Sequence, residues 1–342
     1  MTRLSQFENA VAEKYFSGGL TLPGPLLQRV LDFYLEWYYR LKSRRTDDPI
    51  YTAPDTEEIA VNSQELMNAH YNLPFAFFQR VLGRTLKYSM GLWETGAADL
   101  DAAQEAMMAD LCAKAGLDDG QTMLDHGCGF GSFAEYVLRR YPRSRVWGVT
   151  LSRTQVDYLH RCQAQPDHPF SGDRFTVVEQ DFNHLSLPRT FDRVISIGAF
   201  EHISNLDKAL AQLRALVARG GVCLLHFIVF RPAPGEPATP RRDPFIDRYI
   251  FPGGRIRSFD QLAEDPRHFH LTARWYLSGR NYQRTLQAWL GNFLRHREAL
   301  LEAGLSPRTL RILELYLRTC SAMFGVRGGV CHGNGQYRLE AH

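Results

Sequence analysis

No two of the six cysteines stand in a C-x-x-C spacing. Cys112, Cys128, Cys162, Cys223, Cys320 and Cys331 are scattered, which excludes zinc-knuckle and dithiol redox motifs and suits a reducing compartment. Long apolar runs are missing. The longest stretch, around VCLLHFIVF (222–230), falls well short of the roughly 20 residues that span a bilayer. The opening MTRLSQFENAVAEKYF is charged throughout and lacks the apolar core of a signal peptide. An excess of one charge is missing as well. The 40 Lys and Arg against 37 Asp and Glu leave +3, with no dense basic block, so nucleic acid is not an expected partner. No internal repeat or low-complexity segment occurs. The expectation is a soluble, cytoplasmic protein.

What is present is a large core. The chain has 342 residues, 44% of them hydrophobic and 12% aromatic, enough for one large domain with appendages. Residues 24–45 carry Leu27, Val30, Leu31, Tyr34, Tyr38 and Leu41 near one helical face. A polar, proline-containing linker runs from Thr46 to about Glu58. Residues 1–60 are therefore expected as a helical appendage and 61–342 as the main domain. The appendage helix is aromatic and ends in KSRR. It suits packing on the main domain, a homodimer contact, or peripheral contact with a membrane surface.

From residue 121 a βαβ rhythm begins. The expected strands are 122–127, 145–150, 175–180, 193–198 and 221–229, with helical patterns at 132–141, 153–164 and 206–219 between them. This predicts an α/β fold with a mostly parallel sheet and helices on both faces. The rhythm breaks over about 232–325, a proline-rich loop followed by segments rich in Leu, Trp and Tyr. A cap insertion is expected there. HFHLTARWYL and GQYRLEA are candidates for the last two strands.

The loop LDHGCGFGS follows the first expected strand. Gly127, Gly129 and Gly131 allow a tight turn and close approach to a ligand. A dinucleotide fingerprint wants a third spaced glycine, where Ser132 stands, and an acid near the end of the second strand. That strand ends in GVTLS, with no acid. GxGxG after the first strand is also the S-adenosylmethionine pattern. The second puzzle is FDRVISIGAFEHI (191–203), where Glu201 and His202 follow at once on a buried strand. The bland explanation is a helix start with an acid in its first turn. The sharper one is a site at the carboxyl end of a parallel strand.

LDHGCGFGS, GVTLSRTQ, FDRVISIGAFEHI, LLHFI, FIDRYIFPGG, NYQRTLQAW and YLRTCSAMF occur in that order. Together they resemble the cyclopropane fatty acid synthases, including the mycolic acid cyclopropane synthases, over roughly residues 66–340. The resemblance implies a class I methyltransferase (Rossmann-like) fold with a seven-stranded sheet and a helical cap, and S-adenosylmethionine as methyl donor. It places the cofactor on Tyr88 and Ser89, on Gly127, Cys128 and Gly129, on Thr150, Leu151 and Gln155, and beside Asp181 and Phe182. Thr150 and Gln155 suit the ribose hydroxyls, and Phe182 suits stacking on the base. It also implies a bicarbonate ion held by Glu201, His226, Ile228 and Tyr282, with Glu201, His226 and Tyr282 catalytic. In that chemistry a double bond takes the sulfonium methyl group and becomes a carbocation, and bicarbonate removes a proton to close the ring. Tyr282 and Phe200 are candidates to steady the cation. A carboxylate beside an anion requires that one of them carry a proton or that His226 be charged.

Three departures stand out. Met90 replaces the cysteine that touches bicarbonate in the family, Asn72 replaces the aspartate of HYD, and Phe130 replaces the tryptophan of GCGWG. His126 departs from an apolar residue and has no expected role. Without the resemblance, His226 reads as a core histidine and Tyr282 as helix packing. LKYS and DGQTMLDHGCG also resemble the coclaurine N-methyltransferase branch, whose members carry a second glutamate where this chain has Gly198. The expected function is therefore transfer to a carbon–carbon double bond of an unsaturated acyl lipid. The alternatives are N-methylation of a small amine and C-methylation of another alkene. A non-catalytic lipid-binding relic is disfavoured by the presence of Glu201, His226 and Tyr282.

Overall fold

The computed structural model describes residues 3–42, 56–61, 73–231, 256–264 and 267–341. FIDRYIFPGG, most of the expected linker and Asn72 lie outside the described residues. Two helices, α1 (Arg3–Phe16) and α2 (Gly24–Lys42), precede α3 (Phe75–Val81) and α4 (Leu100–Ala115). The alternating core follows: β1 (Thr122–His126), α5 (Ser132–Arg140), β2 (Arg145–Thr150), α6 (Arg153–Gln163), β3 (Phe175–Glu179), β4 (Phe191–Ile197), α7 (Leu206–Leu216) and β5 (Val217–Phe230). The chain closes with β6 (Arg257–Ser258), β7 (Phe269–Ser278), α8 (Gly279–Arg295), α9 (Arg297–Glu302), α10 (Pro307–Gly325) and β8 (His332–Ala341).

The sheet runs β3-β2-β1-β4-β5-β8-β7, with the two-residue β6 pairing beside β5. Seven strands form the expected sheet and β6 makes an eighth. β1 to β5 pair in parallel, whereas β8 is antiparallel to both β5 and β7. The chain order reverses between β1 and β4, so a crevice opens at the carboxyl ends of these strands, as open α/β sheets require.

β5 is buried on both sides, and its alternation sorts the core. Leu225, Phe227 and Val229 pack with Leu206, Leu210 and Leu213 of α7. Leu224 faces the opposite core with Met107, Met108 and Leu111 of α4. By the two-residue strand period, His226 and Ile228 share that second face. Trp289, Phe293, Leu310 and Leu317, from α8 and α10, build a third cluster with Phe77 and Phe78 of α3. Burial of these large side chains, each stabilising by about 1.5–3 kcal/mol, joins the helices after β7 to the face that carries His226.

α2 packs on α10 through Leu27, with Leu31 partly buried. Leu26, Val30, Phe33 and Trp37 lie on another face of the same helix and are exposed, Phe33 by 74%. Val30 thus faces solvent, not the packed side expected for it. Tyr38 and Leu41 have side chains outside the described ones.

Candidate active site

Two short 3-10 turns project from the strand ends. Phe182–His184 follows β3, and Phe200–His202 follows β4. A strap at residues 56–61 pins both. Ala60 exchanges two hydrogen bonds with the Asn183 side chain (3.0 and 2.8 Å). Ser204 N donates to Ile59 O at 2.6 Å. Asn205 caps α7 by accepting from Lys208 N and donates to Thr56 O at 2.6 Å.

The glycine loop lies between β1 and α5. Gly127 and Cys128 both donate backbone N–H to Val149 O (3.0 and 2.9 Å). Gly127 has φ +83°, and a Cβ there would meet the Ala199 methyl at 2.8 Å; Gly129 has φ +58° and nothing within 4 Å of a built Cβ. The loop needs glycine at the first position for space and at both for conformation. A cavity of about 60 Å³ opens beside it, lined among others by Lys87, Tyr88, Ser89, Asp125, Gly127, Cys128, Gly129, Gln155 and Gly198. Six of the ten expected cofactor residues thus come together. The Cys128 thiol itself is buried and packs where a Cβ on Gly148 would reach it at 2.9 Å.

The other four lie outside that lining. Thr150 Oγ1 donates to Gln155 Oε1 at 2.6 Å, so the two expected ribose partners bond each other. Leu151 follows in the half-buried loop. Asp181 accepts from Asn183 N (2.8 Å), capping its own 3-10 turn. Phe182 is stacked on His126 at 3.9 Å between ring centroids. His126 therefore supports one face of Phe182, a task its sequence position did not announce. Its other anchor is Ser196 Oγ at 3.2 Å from Nδ1.

Of the expected catalytic group, Glu201 and His226 lie at the ends of β4 and β5. Glu201 Oε1 accepts from Ile228 N at 2.8 Å. Its Oε2 is buried with no hydrogen-bond partner among the described residues. Burial pushes the carboxyl up to about 7. His226 Nε2 lies 3.1 Å from Asn334 Nδ2. With that amide as donor the ring proton of a neutral imidazole sits on Nδ1, which has no partner among the described residues. Burial first, then the Lys87 and Lys114 charges, holds His226 well below the usual range. Of the two ways to place an anion here, a charged His226 is disfavoured and a protonated Glu201 is favoured. Tyr282 enters from α8, stacked on Phe324 at 4.4 Å and edge-on to Trp289 at 6.2 Å. Trp289 also meets Tyr88 at 5.4 Å, linking the tyrosines of the two expected subsites. Phe200 is buried against Phe227 in the α7-side core, which leaves Tyr282 as the aromatic candidate.

Met90 is fully buried, and its side chain belongs to the α4-side core. Its polar contribution is the backbone carbonyl, which accepts from Lys87 Nζ at 2.7 Å. Asp125, Lys87 and Asn334 were not among the expected site residues. Asp125 had a legible signal, an acid at the end of the first strand just before the glycine loop.

The family model described as mycolic acid cyclopropane synthetase matches residues 60–332. The chain belongs to that family. Cyclopropane-fatty-acyl-phospholipid synthase from Escherichia coli (strain K12) is 33% identical over 262 residues, 75% of this chain. (S)-coclaurine N-methyltransferase from Thalictrum flavum subsp. glaucum is 27% identical over 237 residues, 68% of this chain. The match spans 64% of the length of each relative. Mycolic acid cyclopropane synthase CmaA1, solved complexed with SAH and CTAB, superposes with a TM-score of 0.70 at 26% identity, covering 81% of this chain and 98% of that one. The fold is that of the class I methyltransferases in this family.

Proposed function

We propose that the protein transfers a carbon unit from S-adenosylmethionine to a carbon–carbon double bond of an unsaturated phospholipid acyl chain, closing a cyclopropane ring. The observation that carries this is the buried Glu201 carboxyl, with glycine at position 198. One buried carboxyl, held near neutral pH by desolvation, stands at the strand ends. Gly198, with φ +66°, stands where the resemblance to the amine branch implies a second glutamate. An alkene needs no deprotonation before it attacks, so one carboxyl suffices; an amine that arrives protonated needs a base.

The lining fits the cofactor: the open space at Gly129 and the buried, partnerless Asp125 Oδ2 suit a polar, amino-acid-bearing ligand. Tyr88, Ser89, Gly127, Cys128, Gly129 and Gln155 would hold it, with Thr150, Leu151, Asp181 and Phe182 framing the nucleoside end. When bound, S-adenosylmethionine supplies a methyl group on a cationic sulfur. Two buried orphan atoms, Glu201 Oε2 and His226 Nδ1, suit a small oxyanion. Bicarbonate would rest on them, on Ile228 and on Tyr282, and would supply a base; Met90, whose carbonyl accepts from Lys87, offers it no donor. Ile228 N fixes the Glu201 carboxyl in one rotation. Glu201 in its acid form and His226 through Nδ1–H would both donate to it, and Asn334 holds the imidazole orientation. The Tyr282 ring would offer its π-cloud to the developing positive charge.

N-methylation of a small amine is the second reading, favoured by the 27% identity to the coclaurine enzyme. The deciding assay offers S-adenosylmethionine with vesicles of cis-unsaturated phospholipid, saturated vesicles, or a tetrahydroisoquinoline amine. Transfer confined to the unsaturated vesicles, and slowed in bicarbonate-free buffer, is expected. Transfer to the amine alone would overturn the acyl assignment, and a rate indifferent to bicarbonate would remove the ion from the account.

A further inference from the structure

Among the described residues the buried Lys87 amine has no opposite charge beside it. Its side chain is 2% exposed, and its Nζ donates to Ser89 Oγ at 2.6 Å and to Met90 O at 2.7 Å. Both acceptors are neutral. No carboxylate lies within ion-pair distance of Nζ among the described residues, and one of its three N–H donors is left without an acceptor there. Burying an unpaired ammonium costs several kcal/mol, and desolvation alone draws the Lys87 amine down to about 7. The fold nevertheless fixes it firmly: Gln104, fully buried, donates to Lys87 O (3.2 Å) as well as to Leu82 O.

A buried carboxyl, raised by desolvation to about 7, lines the same cavity. Asp125 is 2% exposed, its Oδ2 has no hydrogen-bond partner among the described residues, and it makes no ion pair with Lys87. One cavity of about 60 Å³ therefore presents a buried carboxyl and a buried amine to whatever fills it. An α-amino acid group carries both complementary charges on one carbon. Gln155 lies on the same lining, bonded to Thr150 at the end of β2, where a nucleoside would sit. That leaves the Lys87–Ser89 segment for the amino-acid end.

We propose that Lys87 is the counter-ion for the α-carboxylate of the cofactor and holds Ser89 Oγ in position beside it. This rests on the cofactor assignment above and deepens it. Asp125 provides the opposite pole of the same clamp. A cofactor carboxylate restores the charge partner that the folded chain withholds, so the desolvation cost of Lys87 is offset when the ligand enters.

Decarboxylated S-adenosylmethionine is the decisive probe, because it keeps the amine, the sulfonium and the adenosine and lacks only the carboxylate. Calorimetric titration of the full chain should show S-adenosylmethionine favoured by about tenfold or more, the strength of a charged hydrogen bond. In Lys87→Met, which keeps length and removes charge, that preference should fall below about threefold, while affinity for the decarboxylated compound stays level or improves. Equal loss of both ligands in the variant would make Lys87 a structural residue. Equal binding of both by the wild-type chain would overturn the proposal without any variant. A variant that keeps the preference but needs more bicarbonate for turnover would place Lys87 on the ion instead. Failure of the wild-type chain to bind either compound would refute the cofactor assignment itself.

Discussion

Glu201 is held by one oxygen and left open at the other. The bond from Ile228 N survives in Glu201→Gln, because the amide oxygen accepts as the carboxyl oxygen did. Turnover should fall about a hundredfold or more, as loss of a positioned acid does, while the dissociation constant for S-adenosylmethionine moves less than about threefold. Equal loss of both would make the residue structural. The same substitution reports on charge. The folded-state carboxyl is raised from 4.5 to about 7, so the folded chain holds this proton more tightly than the unfolded chain. The resulting stability is complete below pH 4.5 and is lost as pH rises through about 7. Denaturant unfolding should therefore show the wild-type chain losing stability relative to Glu201→Gln across that window, by on the order of 3 kcal/mol. A pH-independent difference would mean that Glu201 is ionised throughout.

Elements were easier to read than faces. The strands from β1 to β5 stood out as largely apolar runs, and β1, β2 and β4 each lead into a helical period. β2 (Arg145–Thr150) matches its expected bounds. β8 inserts between β5 and β7, and no local pattern announces that order, because it depends on pairing across more than 100 residues. α2 shows the same limit. Its helix was legible, but it is apolar on two sides, and periodicity does not say which side meets α10. The packed side is Leu27 and its neighbours; Leu26, Val30, Phe33 and Trp37 remain exposed. Among the described residues no helix is long and apolar enough to cross a membrane; the peripheral membrane contact proposed for this helix would use the exposed stripe. Phe33→Glu and Trp37→Glu should each weaken binding to phospholipid vesicles by about tenfold, the value of one buried aromatic. Stability should shift by no more than about 0.5 kcal/mol, because both side chains are exposed. Unchanged vesicle binding would assign the stripe to a protein contact.

Across the whole molecule the site is assembled from distant stretches. Glu201 stands on the 3-10 turn after β4, His226 on the adjacent parallel β5, and Asn334 arrives on the antiparallel β8, 108 residues after the histidine it holds. The glycine loop and Glu201 could be read locally, since each follows a strand directly. Asn334, the His126–Phe182 stack and the strap at residues 56–61 could not, because their partners are set by tertiary pairing alone. The same assembly brings the near-neutral Glu201 carboxyl against β5, which carries the imidazole that Asn334 orients. The most direct test is mass spectrometry of lipids from cells that express the protein and are fed methionine with a deuterated methyl group. Acyl chains that gain one carbon and keep two of the three deuteriums are the predicted result, because ring closure removes one hydron from the transferred methyl. Chains that keep all three would mean plain C-methylation, and label found only in amines and never in lipid would contradict the account.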